Sequence, residues 1–457
     1  MDKFGDAPAR WPGARGTDDN GLTPEDAKRI ILRKRGKSFS IWSKWVRVAA
    51  VGLMVCTQTH YSIDRLGHLN RVEIQHSYDA TNKSPLQQQR VAVTTILSTA
   101  GGGSYPVPTD WDNSNNAVEC IAGGGAGGLA RSGSNTASAT GGGGGAYSRK
   151  NNVSLSPGGT AAYNVGSGGG GTSLSSNGTV TGANGGDTWF NGSSLASASC
   201  SAEGGKGGSG RTSSGTQAAA SGGLAANGIG DTKYNGGNGG AATCATNGKS
   251  GSGGGGAAGP NGAGVASADA VNESVGNGGA GDNGSGGSGG AGANGTATAG
   301  GNGTEYGSAG SGGGGGGLRA AGAIGGNGGL YGGGGGGGGT GSGTVTSGSG
   351  ARGVIVVSYT PIPAPTVTSC SPSKGTIAGG TSVTISGTGF TGATGVTFGG
   401  SAATSISVVN STTITCIAPA HSIGAVNVAV TGPGGTGTLS SGFTYYAGVK
   451  LRAFVFG

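Results

Sequence analysis

The chain has 457 residues, 113 of them glycine, a charged fraction of only 10% and a formal net charge of +8. So little large side-chain area excludes one ordinary oily core for the whole chain, while so little charge is unlike a purely disordered linker. Much of the positive excess sits in Lys28, Arg29, Arg33, Lys34, Arg35, Lys37, Lys44 and Arg47. A basic head on a nearly neutral body points to a local membrane or export role and away from a nucleic-acid-binding domain.

Residues 1–22 are polar, with Pro8, Pro12, Gly13 and Gly16, and read as a disordered tail. A basic region, 23–90, follows. Thr23-Pro24-Glu25-Asp26 is a helix start: Thr23 caps, Pro24 suits the first position, and the acids face the positive helix end. That helix runs to about Arg35 and stops at Gly36. The apolar stretch Ile41–Cys56 reads as a short amphipathic or buried helix, with an export signal and an interfacial anchor as alternatives. Its uncharged part is shorter than the ~20 residues that span a bilayer. Val91–Leu97 is β-rich and opens the next region, 91–360.

Within that region strand signals frame long glycine excursions. Asn116–Ala122 runs straight into Gly123-Gly124-Gly125. Asn152–Gly166 reads as a strand, a Pro-Gly-Gly turn and a second strand. Asp187–Gly192 is a short aromatic strand, and Gly353–Tyr359 closes the region as its strongest strand. The excursions lack the strict every-third glycine of collagen and the regular Asp of calcium-binding nonapeptide repeats. Two readings are open: flexible low-complexity linker, or extended polyglycine-II-like segments bonded backbone to backbone. The second is favoured.

The strings SYPVPTDWDNSNNAVECIAGGGAGG, GGGGGAYSRKNNVSLSPGGTAAYNVGSGGGG, GGDTWFNG, GGAAGPNGAG and GARGVIVVSYTP, in that order over roughly Ser104 to Pro361, resemble the glycine-rich domain of bacteriophage and prophage tail proteins. They are also similar in style to the polyglycine-II tip adhesins of long tail fibres. The resemblance implies a virion or prophage structural role and receptor recognition by variable loops, without transferring any receptor-site residue. The cysteines and the long basic N-terminus depart from that pattern.

Pro361-Ile362-Pro363-Ala364-Pro365 is a stiff linker, 361–365. Beyond it, alternating strands separated by turn residues have the spacing of a sandwich. The motifs SPSKGTIAGGTSVTISGTGF, VTFGG, TITCIAPA and GFTYY resemble an IPT/TIG immunoglobulin-like domain over 366–446. The resemblance implies a core of Phe390, Phe398 and Phe443, with Gly379, Gly380, Gly387 and Gly389 serving turns. Cys370 and Cys416 either pair as a disulfide or lie on non-adjacent strands. Residues 447–457 form a C-terminal tail that can add one edge strand.

Candidate chemistry is sparse. Gly248-Lys249-Ser250 has Thr243 where a phosphate loop needs its first glycine. Gly-x-Ser-x-Gly matches lack a placed His and acid. Asp110, Asp112 and Glu119 cluster as solvated turn acids rather than a glycosidase pair. The six cysteines have no C-x-x-C spacing, the four histidines are scattered, and no metal or cofactor site is expected. Trp111, Tyr147, Tyr163, Trp189 and Phe190 are either scarce core or sugar-stacking rings. Trp111, Tyr147, Trp189, Tyr306 and Tyr331 are the candidate exposed aromatics.

The expectation is a mainly β, non-enzymatic structural and recognition protein. It combines a glycine-rich β/polyglycine-II-like domain with a C-terminal Ig-like β-sandwich, and has short helices only near the N-terminus. Expected partners are a bacterial surface polysaccharide or outer-membrane protein, other tail proteins and a further copy of the chain, with no nucleic acid. The expected location is the virion tail or the cell surface. The alternative is an exported bacterial surface or adhesion protein.

Overall fold

The computed structural model describes residues 92–448 except 307–309 and 323, together with the backbone of four upstream strands. The expected helix at 23–35 and the tail beyond 448 lie outside the described residues. The upstream strands are Phe39–Trp42 (β1), Val46–Val48 (β2), Leu53–Ile63 (β3) and Leu69–Asp79 (β4). The helix expected over Ile41–Cys56 is therefore corrected. β-branched Ile41, Val46, Val48 and Val55 favour extended backbone, and β3 pairs with β4 from Leu53↔Asp79 to Ile63↔Leu69. Among the described residues the only helical turns are short 3₁₀ pieces at Ala225–Asn227 and Asp282–Gly284.

Downstream come Val93–Leu97 (β5), Gly101–Pro106 (β6), Asn116–Ile121 (β7), Tyr147–Asn151 (β8), Thr160–Val165 (β9), Thr188–Phe190 (β10), Cys200–Ala202 (β11), Thr232–Tyr234 (β12) and Val354–Tyr359 (β13). One sheet of nine strands has the order β1-β3-β4-β5-β13-β7-β8-β12, with β2 beside β3. A second, of four strands, runs β11-β10-β9-β6. β13 fills the slot between β5 and β7, so Val356 lies opposite both Ile96 and Glu119. The chain thus leaves β7 at Ile121, re-enters the sheet at β8 and β12, and returns to its centre at Val354, with the glycine excursions between these visits.

Alternation along β7 sorts its side chains. Val118 and Cys120 join Leu97, Tyr105, Trp111, Phe190, Cys200 and Ile355 in a core between the two sheets. Ile121 points the other way, with Ile96, Tyr147, Val354 and Val356. Each such fully buried Val, Leu, Ile or Phe contributes ~1.5–3 kcal/mol.

The glycine runs are ordered by a different rule. Gly142 and Gly145 donate to the carbonyls of Gly335 and Gly332, both at 2.8 Å. Gly143 and Ala146 donate to Lys206 and Glu203, and Gly144 donates to Gly237. In return the carbonyls of Gly142 and Gly145 accept from Gly255 and Ala258. Those of Gly143 and Ala146 accept from Gly125 and Ala122, and that of Gly144 from Gly223. Partners recur every third residue, the turn of a threefold extended helix, and six neighbouring segments surround this one. Gly312–Leu318 repeats the arrangement: Gly312, Gly315 and Leu318 donate to Tyr331, Gly334 and Gly337. This is a polyglycine-II-like lattice. Its segments lie so close that a Cβ on Gly144 would stand 2.0 Å from the Gly256 carbonyl oxygen. Backbone hydrogen bonds satisfy most of the interior, and a few buried hydroxyls complete it, as where Gly141 N–H donates to Ser252 Oγ at 3.1 Å.

The lattice rim is finished by the side-chain oxygens of Asn and Asp. Asn235 and Asn238, three apart, accept the N–H groups of Ala225 and Gly222 on Oδ1 at 2.7 and 2.9 Å. Asn184 and Asp187 do the same for Gly207 and Gly204, both at 2.9 Å. A side-chain oxygen replaces the carbonyl of a missing outer segment.

The C-terminal sandwich holds Thr366–Ser371 (β14), Ser382–Thr388 (β15), Gly395–Phe398 (β16), Thr404–Asn410 (β17), Thr413–Ile417 (β18), Gly424–Gly432 (β19) and Gly435–Tyr446 (β20). One sheet is β14-β15-β18-β17; the other is Lys374–Thr376, β20, β19, β16 and Ser401–Ala402. Phe390, Phe398 and Phe443 are fully buried between them, as expected. Gly379 does serve a turn, at φ 76°. Gly387 instead lies within β15, where a Cβ would meet the Thr366 carbonyl oxygen at 1.9 Å.

The disulfide alternative for Cys370 and Cys416 is corrected, because a strand separates the two thiols. Cys370 on β14 pairs with Ile385 and Cys416 on β18 with Val383, so β15 runs between them. Two strand spacings, about 9.5 Å, exceed the reach of a disulfide.

Candidate functional site

The glycine lattice occupies the end of the large sheet where β7 finishes and β13 begins. At the other end β7 begins while β8 and β13 finish. There Asn115, Arg149, Asn151, Asn152, Ser358 and Thr360 line a cleft of about 500 Å³. Local backbone rules place them. Asn152 takes a left-handed conformation, φ 53°, which asparagine tolerates, and its N–H donates to the Asn116 carbonyl at 2.9 Å. The Asn116 side chain bonds to Val153 N–H at 2.8 Å and to the Asp112 carbonyl at 2.7 Å, clamping the strand start. Thr360 N–H donates to the Asn115 carbonyl at 3.0 Å, fixing the end of β13.

Arg149 joins this cleft to a buried carboxylate. Its Nε donates to Asn151 Oδ1 at 3.1 Å, and its Nη1 lies 3.7 Å from Glu119 Oε1. Glu119 is 7% exposed, and its Oε2 accepts the hydroxyls of Tyr147, at 2.6 Å, and Tyr306. Burial, and then the Glu119 charge, push both phenols far above the ordinary tyrosine range. Tyr147 also stacks on Tyr234 at 6.1 Å between centroids. The ensemble latches the Tyr306 segment onto the sheet, with charge-assisted hydrogen bonds satisfying the buried carboxylate. Beside the cleft, Lys150 and Asp231 pair at 2.6 Å. Chiefly the Lys150 hydrogen bond holds the Asp231 carboxyl below its usual range.

The sequence candidates are distributed differently from the expectation. Trp111, Tyr147 and Tyr331 are 1%, 1% and 8% exposed, so as exposed aromatics they are corrected. Scarce core formers are recruited wherever a sheet face must be covered: Trp111 packs 5.1 Å from Tyr359, and Arg352 lies over Tyr331. Trp189 and Tyr306 are half-buried. Phe190 and Tyr163 belong to the core. Asp110, Asp112 and Glu119 do not converge. Asp110 accepts the Tyr359 hydroxyl at 3.1 Å, Asp112 closes its own turn through Ser114, and Glu119 faces the latch. Lys249 and Ser250 lie on a short strand, Lys249–Gly251, and not on a phosphate loop. Among the described residues no cluster of three His, Cys, Asp or Glu side chains could hold a metal ion.

Sequence reasoning missed Arg149, Asn115 and Asn152, since single polar residues at strand ends carry no periodic signal. It also missed the rim amides. Their signal was present as the phase GGNGGA over 236–241, with the same spacing at GGSGGA over 286–291.

The lining offers amides, hydroxyls and one guanidinium, with no carboxylate. That suits a neutral polar or anionic group and supplies no acid–base pair. Comparison with known families matches residues 365–446 to the IPT/TIG domain, and that segment is an IPT/TIG domain. No curated protein matches the chain.

Proposed function

We propose that this chain is a non-enzymatic structural and recognition protein of a phage or prophage tail, displaying polar loops and clefts to a bacterial surface polysaccharide or outer-membrane protein. The observation that carries the reading is the lattice. Its interior is satisfied mainly by backbone, with a few buried serines such as Ser252 taking part, so side chains on its rim and loops can change without disturbing what holds it together. Such a scaffold suits a binding surface that must vary. The IPT/TIG domain acts as a spacer or auxiliary binding module, and other tail proteins or a further copy of the chain are the assembly partners.

The test is mass spectrometry of induced, density-purified particles alongside washed envelopes from the same culture, followed by cell binding of the full chain with its loops exchanged. Peptides from both 147–163 and 366–446 in particles, and a changed cell-binding spectrum after loop exchange, are expected. Peptides confined to envelopes would replace the reading with an exported bacterial surface protein. The basic run from Lys28 to Arg47, ahead of an apolar stretch, favours that second reading.

A further inference from the structure

Cys120 and Cys200 lie 80 residues apart in sequence, on strands of different sheets, and meet in the core between them. The Cys120 thiol points at the Cys200 carbonyl at 3.7 Å. The Cys200 thiol points into the β7–β8 pair, 3.4 Å from the Val118 carbonyl and 3.6 Å from that of Ser148. Both residues are 0% exposed. The other described cysteines make no such approach. Cys244 is buried on the short strand Ala242–Cys244 with its thiol toward the Ser213 carbonyl, and Cys370 and Cys416 are kept apart by β15.

We infer that Cys120 and Cys200 are a disulfide site, closed when the chain folds in oxidising surroundings, where the bond staples the four-stranded sheet onto the large sheet. A small-molecule disulfide such as glutathione disulfide supplies the oxidising equivalents. The Cys120 thiolate attacks one glutathione sulfur and expels a glutathione thiolate. The Cys200 thiolate then attacks the Cys120 sulfur and expels the second. Two cysteine thiols become one S–S bond, one glutathione disulfide becomes two glutathiones, and the two cysteine protons end on the departing thiolates. Exchange precedes closure of the sheets. Once packed, the pair has no solvent access, and burial together with the neighbouring sulfur raises the Cys120 thiol well above its usual range, leaving it unreactive. The bond would close a long loop, the circumstance in which cross-links restrict the unfolded chain most.

The full chain is synthesised in two cell-free extracts, one buffered with glutathione disulfide and one with excess glutathione, and the soluble protein is denatured and its thiols alkylated and counted by mass. The expected result is two fewer alkylated cysteines in the oxidised sample, with a peptide map joining Cys120 to Cys200. The oxidised protein should melt several degrees above the reduced one. Separate C120A and C200A variants should each show the same thiol count in both extracts. Retention of all thiols in soluble oxidised protein, or a bond joining any other pair, Cys56 included, would overturn the inference.

Discussion

Replacing Gly144 by alanine tests the lattice at its centre. A Cβ there would stand 2.0 Å from the Gly256 carbonyl oxygen and 2.4 Å from its carbonyl carbon, whereas ordinary contact begins at 3.4 Å. The segment around Gly256 must therefore retreat by about 1.4 Å, the difference between the first and last of those distances. That movement strains the bonds holding it: Gly255 N–H to Gly142, Ala258 N–H to Gly145 and Gly237 N–H to Gly256, at 2.9, 2.9 and 2.8 Å. Each costs about 1 kcal/mol net when lost, and more if a group stays buried and unpaired. Against this stands the 0.4–1 kcal/mol by which Gly→Ala ordinarily stabilises through the unfolded state, roughly. The balance is a loss of roughly 2–2.6 kcal/mol, or a melting point lowered by about 4–10 °C. Gly170 is the control: nothing lies within 4 Å of its Cβ position and it is exposed. Gly170→Ala keeps only the favourable term and should melt at or slightly above the wild type. Differential scanning calorimetry of both variants decides the matter. If Gly144→Ala melts no lower than Gly170→Ala, close backbone packing is not what holds the glycine runs.

Alkaline stability follows from the latch. Tyr147 and Tyr306 have folded pKa values raised above the unfolded value, and Tyr105 is pushed up to about 12. Their contribution is fully present below the unfolded tyrosine pKa of ~10 and declines as pH rises beyond it. Urea unfolding at a series of pH values should show that decline, and Tyr147→Phe with Tyr306→Phe should flatten it. Glu119→Gln removes the charge that both phenols meet and should cost about 2–3 kcal/mol at neutral pH, with an unchanged urea midpoint counting against the latch. Asn238→Ala frees the Gly222 N–H that it accepts at 2.9 Å. Hydrogen exchange at Gly222 should then quicken while the interior glycine amides stay protected. Phe398→Ala, which removes a fully buried ring 5.0 Å from Phe443, should cost about 3–5 kcal/mol by denaturant titration.

What could be read in the sequence was whatever a local signal records. The strands at Asn116–Ala122 and Gly353–Tyr359 were legible because the first runs into glycine and the second, rich in β-branched residues, starts from one. The sandwich was legible because its alternation and turns recur at short spacing. The stretch from Ile41 was misread because a short apolar run has no period that separates helix from strand, and the deciding pairings are with β3 and β4. Glu119 illustrates the same limit in the site. It looked like a turn acid, yet Tyr147 is 28 residues away and Tyr306 is 187 away, and only the fold brings their hydroxyls to one oxygen.

The sequence by itself determined that backbone, not side chains, would have to hold the glycine region, since glycine has no other group with which to bond. It also determined that a separate β-sandwich would follow the prolines, because each of its strands carries its own alternation. Only the tertiary structure decided which glycine faces which, that the aromatic rings turn inward, and that β13 returns between β5 and β7. Those choices rest on pairings between segments distant in the chain. A glycine N–H is chemically the same at every position, so its partner is set by the geometry of the whole lattice.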